Sequence, residues 1–238
     1  MRTQMMIMAI VGTVLLAAVA VLVGLVWWLG WLAGAGSWLG AVVVLFAVYL
    51  WVIKPWHIRW GATDDEVTMT MPGDDLIPGA KPATRAVTIG AAPEEIWPWL
   101  LQLGYGKAGW YSYDWIDNDF VPSAHRIIAE YQNLGTGDKI LMMPGMGFEV
   151  VAVDPPRSIV SVLEDGSTSW CLALYPMEGG GTRLVSRWRP KFDITPATML
   201  MMALSEPGTF IMEQKMLRTI RDRVESAPAA RQGMADTR

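Results

Sequence analysis

The chain has 238 residues, 52% of them hydrophobic and 18% charged, with a net charge of -4. A mean hydropathy of +0.28 is too high for an ordinary soluble domain, and a pI near 5.2 argues against nucleic acid as a partner. The single cysteine, Cys171, excludes an internal disulfide and agrees with a reducing compartment.

The excess hydrophobicity sits at the N-terminus. Between Arg2 and Lys54 there is no Asp, Glu, Lys, Arg or His, which leaves room for two membrane helices. The first is expected over residues 5–29, where a rise of about 1.5 Å per residue gives roughly 37 Å, enough for a hydrocarbon core of about 30 Å. The second is expected over residues 37–53, after a Gly-rich turn at Gly30 to Ser37. A cleaved signal peptide is the rival reading, with Arg2 as its basic start and Ala33 and Ala35 near a cleavage site, but the apolar run is about twice the usual length. Trp27, Trp28, Trp31 and Trp38 cluster about the turn, and Trp51, Trp56 and Trp60 mark the other end, as interfacial aromatic belts do. Arg2, Lys54 and Arg59 flank the hairpin, so the positive-inside rule puts both ends in the cytoplasm. Gly36 and Gly40 have the GxxxG spacing that lets helices approach closely. Residues 1–54 therefore read as a two-span anchor whose partners are bilayer lipid and other membrane proteins.

Residues 55–82 hold the acidic clusters Asp64-Asp65-Glu66 and Asp74-Asp75 among Pro72, Gly73, Pro78, Gly79 and Pro82, and read as an extended connector. A strand over Ala83 to Gly90 precedes a helix that starts at Pro93, carries Glu94 and Glu95 in its first turn and is capped by Gly104. Pro98 removes one backbone donor, which predicts a bend or an early break. From Asp138 to Pro190 the runs DKILMM, GFEVVAV, SIVSVL, TSWCLALYP and TRLVSRWRP alternate with turn residues, the pattern of an antiparallel meander. Cys171 lies in one of these strands and reads as a buried thiol. After Pro207-Gly208 an amphipathic helix puts Phe210, Met216, Leu217, Ile220 and Val224 on one face. Residues 227–238 have little to bury and are expected to be a disordered tail. Strand, helix, meander and long C-terminal helix make an α+β domain over residues 83–226, a curved antiparallel sheet gripping a helix.

RWGAT, APEEIWPWLLQLGYGKAGWYSYDWIDN, GGGTRLVSRWRP and EPGTFIMEQKML resemble the SRPBCC superfamily, the helix-grip fold of START lipid-transfer domains, birch-pollen-type allergens and polyketide cyclases. The similarity covers residues 59–224 and is strongest to a branch with hydrophobic N-terminal segments and no assigned reaction. The resemblance implies a hydrophobic cavity between sheet and long helix. It does not imply one ligand.

Gly104 to Gly109 match the G-x-G-x-x-G pattern, but they follow a helix instead of a strand, the wrong context for a dinucleotide. Gly179-Gly180-Gly181 lacks the Lys-Ser or Lys-Thr of a phosphate loop. His57 and His125 are isolated, which does not make a zinc site, and no nucleophile elbow or Cys-His arrangement appears. No catalytic residue, metal or cofactor is assigned.

The segment GWYSYDWIDN reads either as core with a capped turn or as a cavity wall. On the second reading Trp97, Tyr105, Trp110, Tyr111, Tyr113, Asp114 and Trp115 line the cavity, with Asp114 and Asp117 as polar fixing points. Met142, Phe148, Trp170 and Trp188 join from the strands, and Phe210, Glu213 and Met216 from the last helix. Met143, Met146, Met199, Met201, Met202 and Met212 add adaptable apolar surface. The expected function is membrane-tethered binding of a lipid-like or isoprenoid-like molecule. The alternatives are a cyclase or dehydratase using Asp114 or Glu213 for proton transfer, and a structural subunit of a membrane complex. Glu213 falls at the centre of the apolar helix stripe, so it either pairs with a cation, takes up a proton, or snorkels to solvent. Arg187 and Arg189 are the candidate partners by type, unless their strand face is the convex one. As a polar anchor, Glu213→Leu is expected to leave the fold intact, and Glu213→Lys to cost about 3 kcal/mol or more.

Overall fold

In the computed structural model, which describes residues 2–192 and 195–235, the N-terminal run folds into α1 (Arg2–Leu29) and α2 (Trp31–Val48). The break is confined to Gly30, at φ +81°, and does not extend to Ser37. Gly34 then closes the contact with α1: a Cβ there would lie 2.5 Å from the Val26 Cα. Gly36 and Gly40 have nothing within 4 Å of such a Cβ, so the close approach belongs to Gly34 and not to the GxxxG pair. Beyond α2 a π-helical turn, Tyr49–Ile53, leads into α3 (Lys54–His57). Trp31–His57 is thereby one helix of 27 residues, long and apolar enough to cross a membrane. Among the described residues of α1, Leu16–Leu29 is a shorter apolar stretch.

Ile58 opens a separate unit. The carbonyls of Ile58 and Trp60 accept from Thr84 (2.8 Å) and Ala86 (3.1 Å), so the chain first runs along the edge of β1 (Ala83–Ile89) and covers groups that an open edge would expose. Between them lies α4 (Asp64–Thr68), capped reciprocally: Glu66 N donates to Thr63 Oγ1 (3.1 Å) and Thr63 N to the Glu66 carboxylate (2.8 Å). The T-D-D-E spelling is a capping box.

Next comes α5 (Pro93–Leu101). Pro98 sits inside it without breaking it, because Ile96, Trp97 and Leu100 are all buried and their packing outweighs one lost backbone bond. Gly104 does not cap this helix. It forms an antiparallel bridge with Gly109, which turns Gly104 to Gly109 into a closed loop. After the short α6 (Asp114–Asp117) come β2 (Lys139–Met143), β3 (Met146–Asp154), β4 (Ser158–Leu163), β5 (Thr168–Pro176) and β6 (Thr182–Pro190). The meander is the expected one, and β1 adds to β6, giving a six-stranded antiparallel sheet in the order β1-β6-β5-β4-β3-β2. Register shifts at Leu141/Met143 and Val150/Ala152 bend the strands and curl the sheet.

The last helix, α7, spans Pro196–Ala235 and is longer than expected at both ends. Thr198 N donates to Thr195 Oγ1 (3.1 Å) and Thr195 N to Thr198 Oγ1 (2.9 Å), a cap placed just before Pro196. The Ala-, Met- and Leu-rich turns that follow carry the helix past Pro207-Gly208. At the other end it continues beyond Ala227 to Ala235, where Ala229 and Ala230 favour helix while Pro228 and Gly233 oppose it.

Strand alternation sorts the sheet into two cores. Inward, Val87, Ile89, Phe148, Trp170, Leu172 and Leu184 pack with Met216, Leu217, Ile220 and Val224 of α7 and with α5. Outward, Ala86, Val160, Cys171, Ala173 and Val185 pack under Met71. Residues 58–82 are therefore not an extended connector. They cover the convex face, where Arg183 meets Glu66 (2.7 Å) and Arg187 meets Asp74 (2.7 Å). Burial in this layer pushes the Cys171 thiol up to about 12, which makes it unreactive.

Candidate functional site

Between the concave sheet face and α7 lies a cavity of about 200 Å³, lined by Trp110, Ser112, Asp117, Met142, Trp170, Trp188, Thr209, Met212, Glu213 and Met216. Three indoles form its wall. Trp170 stacks on Trp188 at 5.1 Å and tilts against Trp110 at 5.8 Å. They converge because Trp170 and Trp188 are register partners on β5 and β6, and Phe148 supports both from behind.

Glu213 is the first polar feature. It is 4% exposed and pairs with the guanidinium of Arg85. Ser186 Oγ donates to its other oxygen, and Trp170 Nε1 donates to Ser186 Oγ at 2.9 Å. Arg85 is the register partner of Ser186, hence on the inner face, and its charge also rests 5.3 Å from the Phe210 ring. Arg187 and Arg189 are not the partners, since β6 alternation puts them on the convex face with Asp74.

The loop before α6 supplies the second polar feature. Trp110 and Ser112 line the cavity while Tyr111 between them turns away into the core, where Gln102 Nε2 donates to its hydroxyl at 2.7 Å. Gly109 makes the turn possible: its φ is +83°, and a Cβ there would lie 2.3 Å from Ser123 Oγ. Asp117, at the end of α6, is 9% exposed. Neither of its oxygens has a hydrogen-bond partner. Burial pushes its carboxyl up to about 7; the nearby Ser112 hydroxyl lowers it, the charge of Asp114 adds to the rise, and the backbone N–H groups of Asp117 and Tyr113 lower it further, none of these donors being within hydrogen-bonding geometry.

Of the residues singled out from the sequence, Trp110, Asp117, Met142, Trp170, Trp188, Met212, Glu213 and Met216 meet at this cavity. The others lie elsewhere. Trp97 is buried in the core on α5 and Phe148 behind the indoles. Tyr105 donates to Asp119 at 2.9 Å. Tyr113 packs edge-on against Trp115 at 6.3 Å, and Trp115 is exposed. Asp114 accepts from both the backbone N and the hydroxyl of Ser123, a turn-capping role. Phe210 lies under Arg85 and against Trp60. Met143, Met146 and Met201 are exposed, Met202 is half-buried, and the Met199 side chain lies outside the described residues.

Sequence reasoning missed Arg85 and Ser186. The signal was present: in ATRAVTI a charged residue shares the inward period with Val87 and Ile89. Among the described residues no group of three or more His, Cys, Asp or Glu side chains could hold a metal ion.

No family model and no curated protein matches the chain. Solved structures do. A polyketide-cyclase-like protein from Corynebacterium glutamicum is 15% identical, with 63% of this chain and 94% of that chain covered and a TM-score of 0.37. An AHSA1-like protein from Aeromonas hydrophila is 15% identical, covering 61% and 94%, at a TM-score of 0.33. The Aha1 dimer from Colwellia psychrerythraea is 15% identical, covering 56% and 92%, at 0.34. At such values the likeness says nothing about ligand or reaction. The helix-grip-like description rests on the strand order and the buried face of α7.

Proposed function

We propose that residues 58–235 bind a hydrophobic small molecule in the cavity between sheet and α7, and that the N-terminal helices tether this unit to a membrane. The observation that carries the binding is the cavity itself, walled by Trp110, Trp170, Trp188, Met142, Met212 and Met216. Aromatic and Met linings with few polar groups are those of small-molecule sites. At about 200 Å³ the cavity is below the roughly 300 to 1,000 Å³ usual for ligand pockets, which favours a compact lipid-like or isoprenoid-like ligand, or one end of a longer chain.

The tether rests on Trp31–His57, with α1, 28 residues long, proposed as the second span. Proton-transfer catalysis is the second reading. It loses Asp114 and Glu213, both engaged in internal bonds, and keeps Asp117, a lining residue whose carboxyl oxygens are buried and unpartnered. Native mass spectrometry of the full chain extracted with its own lipids tests the binding. A stoichiometric small hydrophobe supports it. Recovery of bare protein together with failure to bind any added hydrophobe refutes it.

A further inference from the structure

Buried polar groups are almost always hydrogen-bonded in folded proteins. Around this cavity three residues depart from that rule together. Both oxygens of Asp117, Ser112 Oγ and Trp188 Nε1 are buried atoms with no hydrogen-bond partner among the described residues, and all three residues line the one cavity. Glu213 on the same lining is different, because Arg85 and Ser186 already occupy its oxygens.

The chemistry of the three groups narrows what they recognise. An indole N–H can only donate, a serine hydroxyl can do either, and a carboxyl accepts on both oxygens when ionised and gains one O–H donor when protonated. A ligand group that suits them all must both accept and donate. A hydroxyl does so on one oxygen. A ketone or ether only accepts, which leaves an ionised Asp117 unserved, and an ammonium only donates, which leaves Trp188 Nε1 unserved. A carboxylate would stand against Asp117 in an apolar enclosure, where an unpaired charge is strongly disfavoured. A plain hydrocarbon would satisfy none of the three.

We propose that the cavity takes a compact alcohol or phenol, its hydroxyl bonded among Asp117, Ser112 and Trp188 Nε1 and its apolar body against Trp110, Trp170 and Met216. This deepens, and rests on, the small-molecule binding proposed above. The cavity's volume of about 200 Å³ sets the scale of the body at one or two fused rings or a short branched chain.

Three probes with one ring system separate the outcomes: 2-naphthol, naphthalene and 2-naphthoate, titrated calorimetrically into the purified full chain. The hydroxyl is expected to bring 2-naphthol about tenfold tighter than naphthalene, the gain of one or two well-placed hydrogen bonds, with 2-naphthoate weakest. In Asp117→Ala and in Trp188→Phe the ratio of naphthol to naphthalene affinity should fall toward one, with thermal melting showing that each variant is folded. Trp188→Phe keeps the aromatic wall, so it decides the matter if Asp117→Ala does not fold. Equal affinities for naphthol and naphthalene in the wild type, a ratio that survives in the folded variants, or preference for naphthoate would each overturn the hydroxyl assignment while leaving cavity binding in place. Failure of all three probes to bind would instead overturn the cavity reading itself.

Discussion

Arg85 and Glu213 stand 128 residues apart in sequence, yet each is 4% exposed and the two form a buried ion pair. Removing one member of such a pair leaves a buried charge without compensation, a loss of about 3 to 5 kcal/mol. Glu213→Leu should therefore destabilise the unit by about 3 kcal/mol or more, contrary to the sequence-based expectation that the fold would be untouched. Arg85→Met should do the same, and the double variant should lose clearly less than the sum of the two. Urea denaturation of the four proteins measures this, and strict additivity would show the pair uncoupled. Asp117 carries the opposite kind of electrostatics. Its carboxyl is raised from 3.8 to about 7, by burial first, with Ser112 opposing and Asp114 assisting. A raised acid binds its proton more tightly folded than unfolded, so its contribution is complete below pH 3.8 and is lost as pH rises through about 7. The change is on the order of 4 kcal/mol at most. Asp117→Asn should gain stability relative to wild type between pH 4.5 and 8, and a pH-independent difference would contradict the shift.

At the scale of elements, the segment from Ile58 to Pro82 is held to the outer sheet face by arginines of β6. Arg187, 2% exposed, donates to Met69 O (2.8 Å), Asp74 (2.7 Å) and Thr84 Oγ1 (3.0 Å). Arg187→Ala is expected to cost about 3 kcal/mol and to release this layer first. Hydrogen exchange should then rise at the amides of residues 67–80 before those of Leu217 to Val224. Simultaneous loss of protection would show that the layer and α7 unfold as one. Glu66 adds a pH dependence. Burial alone would raise its carboxyl, but donors from Arg183 and Thr63 outweigh it and hold it below the ordinary 4.5. Its stabilisation is thus present above pH 4.5 and lost as pH falls, so this layer should loosen in acid while Asp117 becomes more comfortable there.

At the scale of the whole molecule, the proposed tether has a topology to test. If both N-terminal helices span, Arg2 and the unit after Lys54 share the cytoplasmic side and the Gly30 break faces away from it. Single cysteines at Thr3 and at Ser226, in a Cys171→Ala background, report this in sealed inside-out and right-side-out vesicles. The two sites should label from the same side with a membrane-impermeant maleimide. Labelling from opposite sides would mean one span, Trp31–His57, with the N-terminus across the membrane. Release of the unit into the soluble fraction would remove the tether altogether.

The sequence alone determined what is local. Runs of strand-forming residues separated by turn residues marked the strands of the meander, because turn residues interrupt the extended backbone. The helical stripe of Phe210, Met216, Leu217, Ile220 and Val224 marked the face of α7 that is buried, because helical periodicity decides which residues share a side. The absence of charge between Arg2 and Lys54 marked the apolar helices. Tertiary structure alone decided what depends on distant neighbours. Only the pairing of β1 with β6 set Arg85 beside Ser186, and only the seating of α7 brought Glu213 to both. The acidic run at Asp64 to Glu66 reads as a solvated linker until the convex face offers Arg183. Likewise Asp114 and Asp117 are alike in sequence, but Ser123 occupies one and the cavity receives the other. Local geometry follows from backbone sterics and side-chain periodicity, whereas the partner of a buried charge is chosen by whichever element the packed core delivers to it.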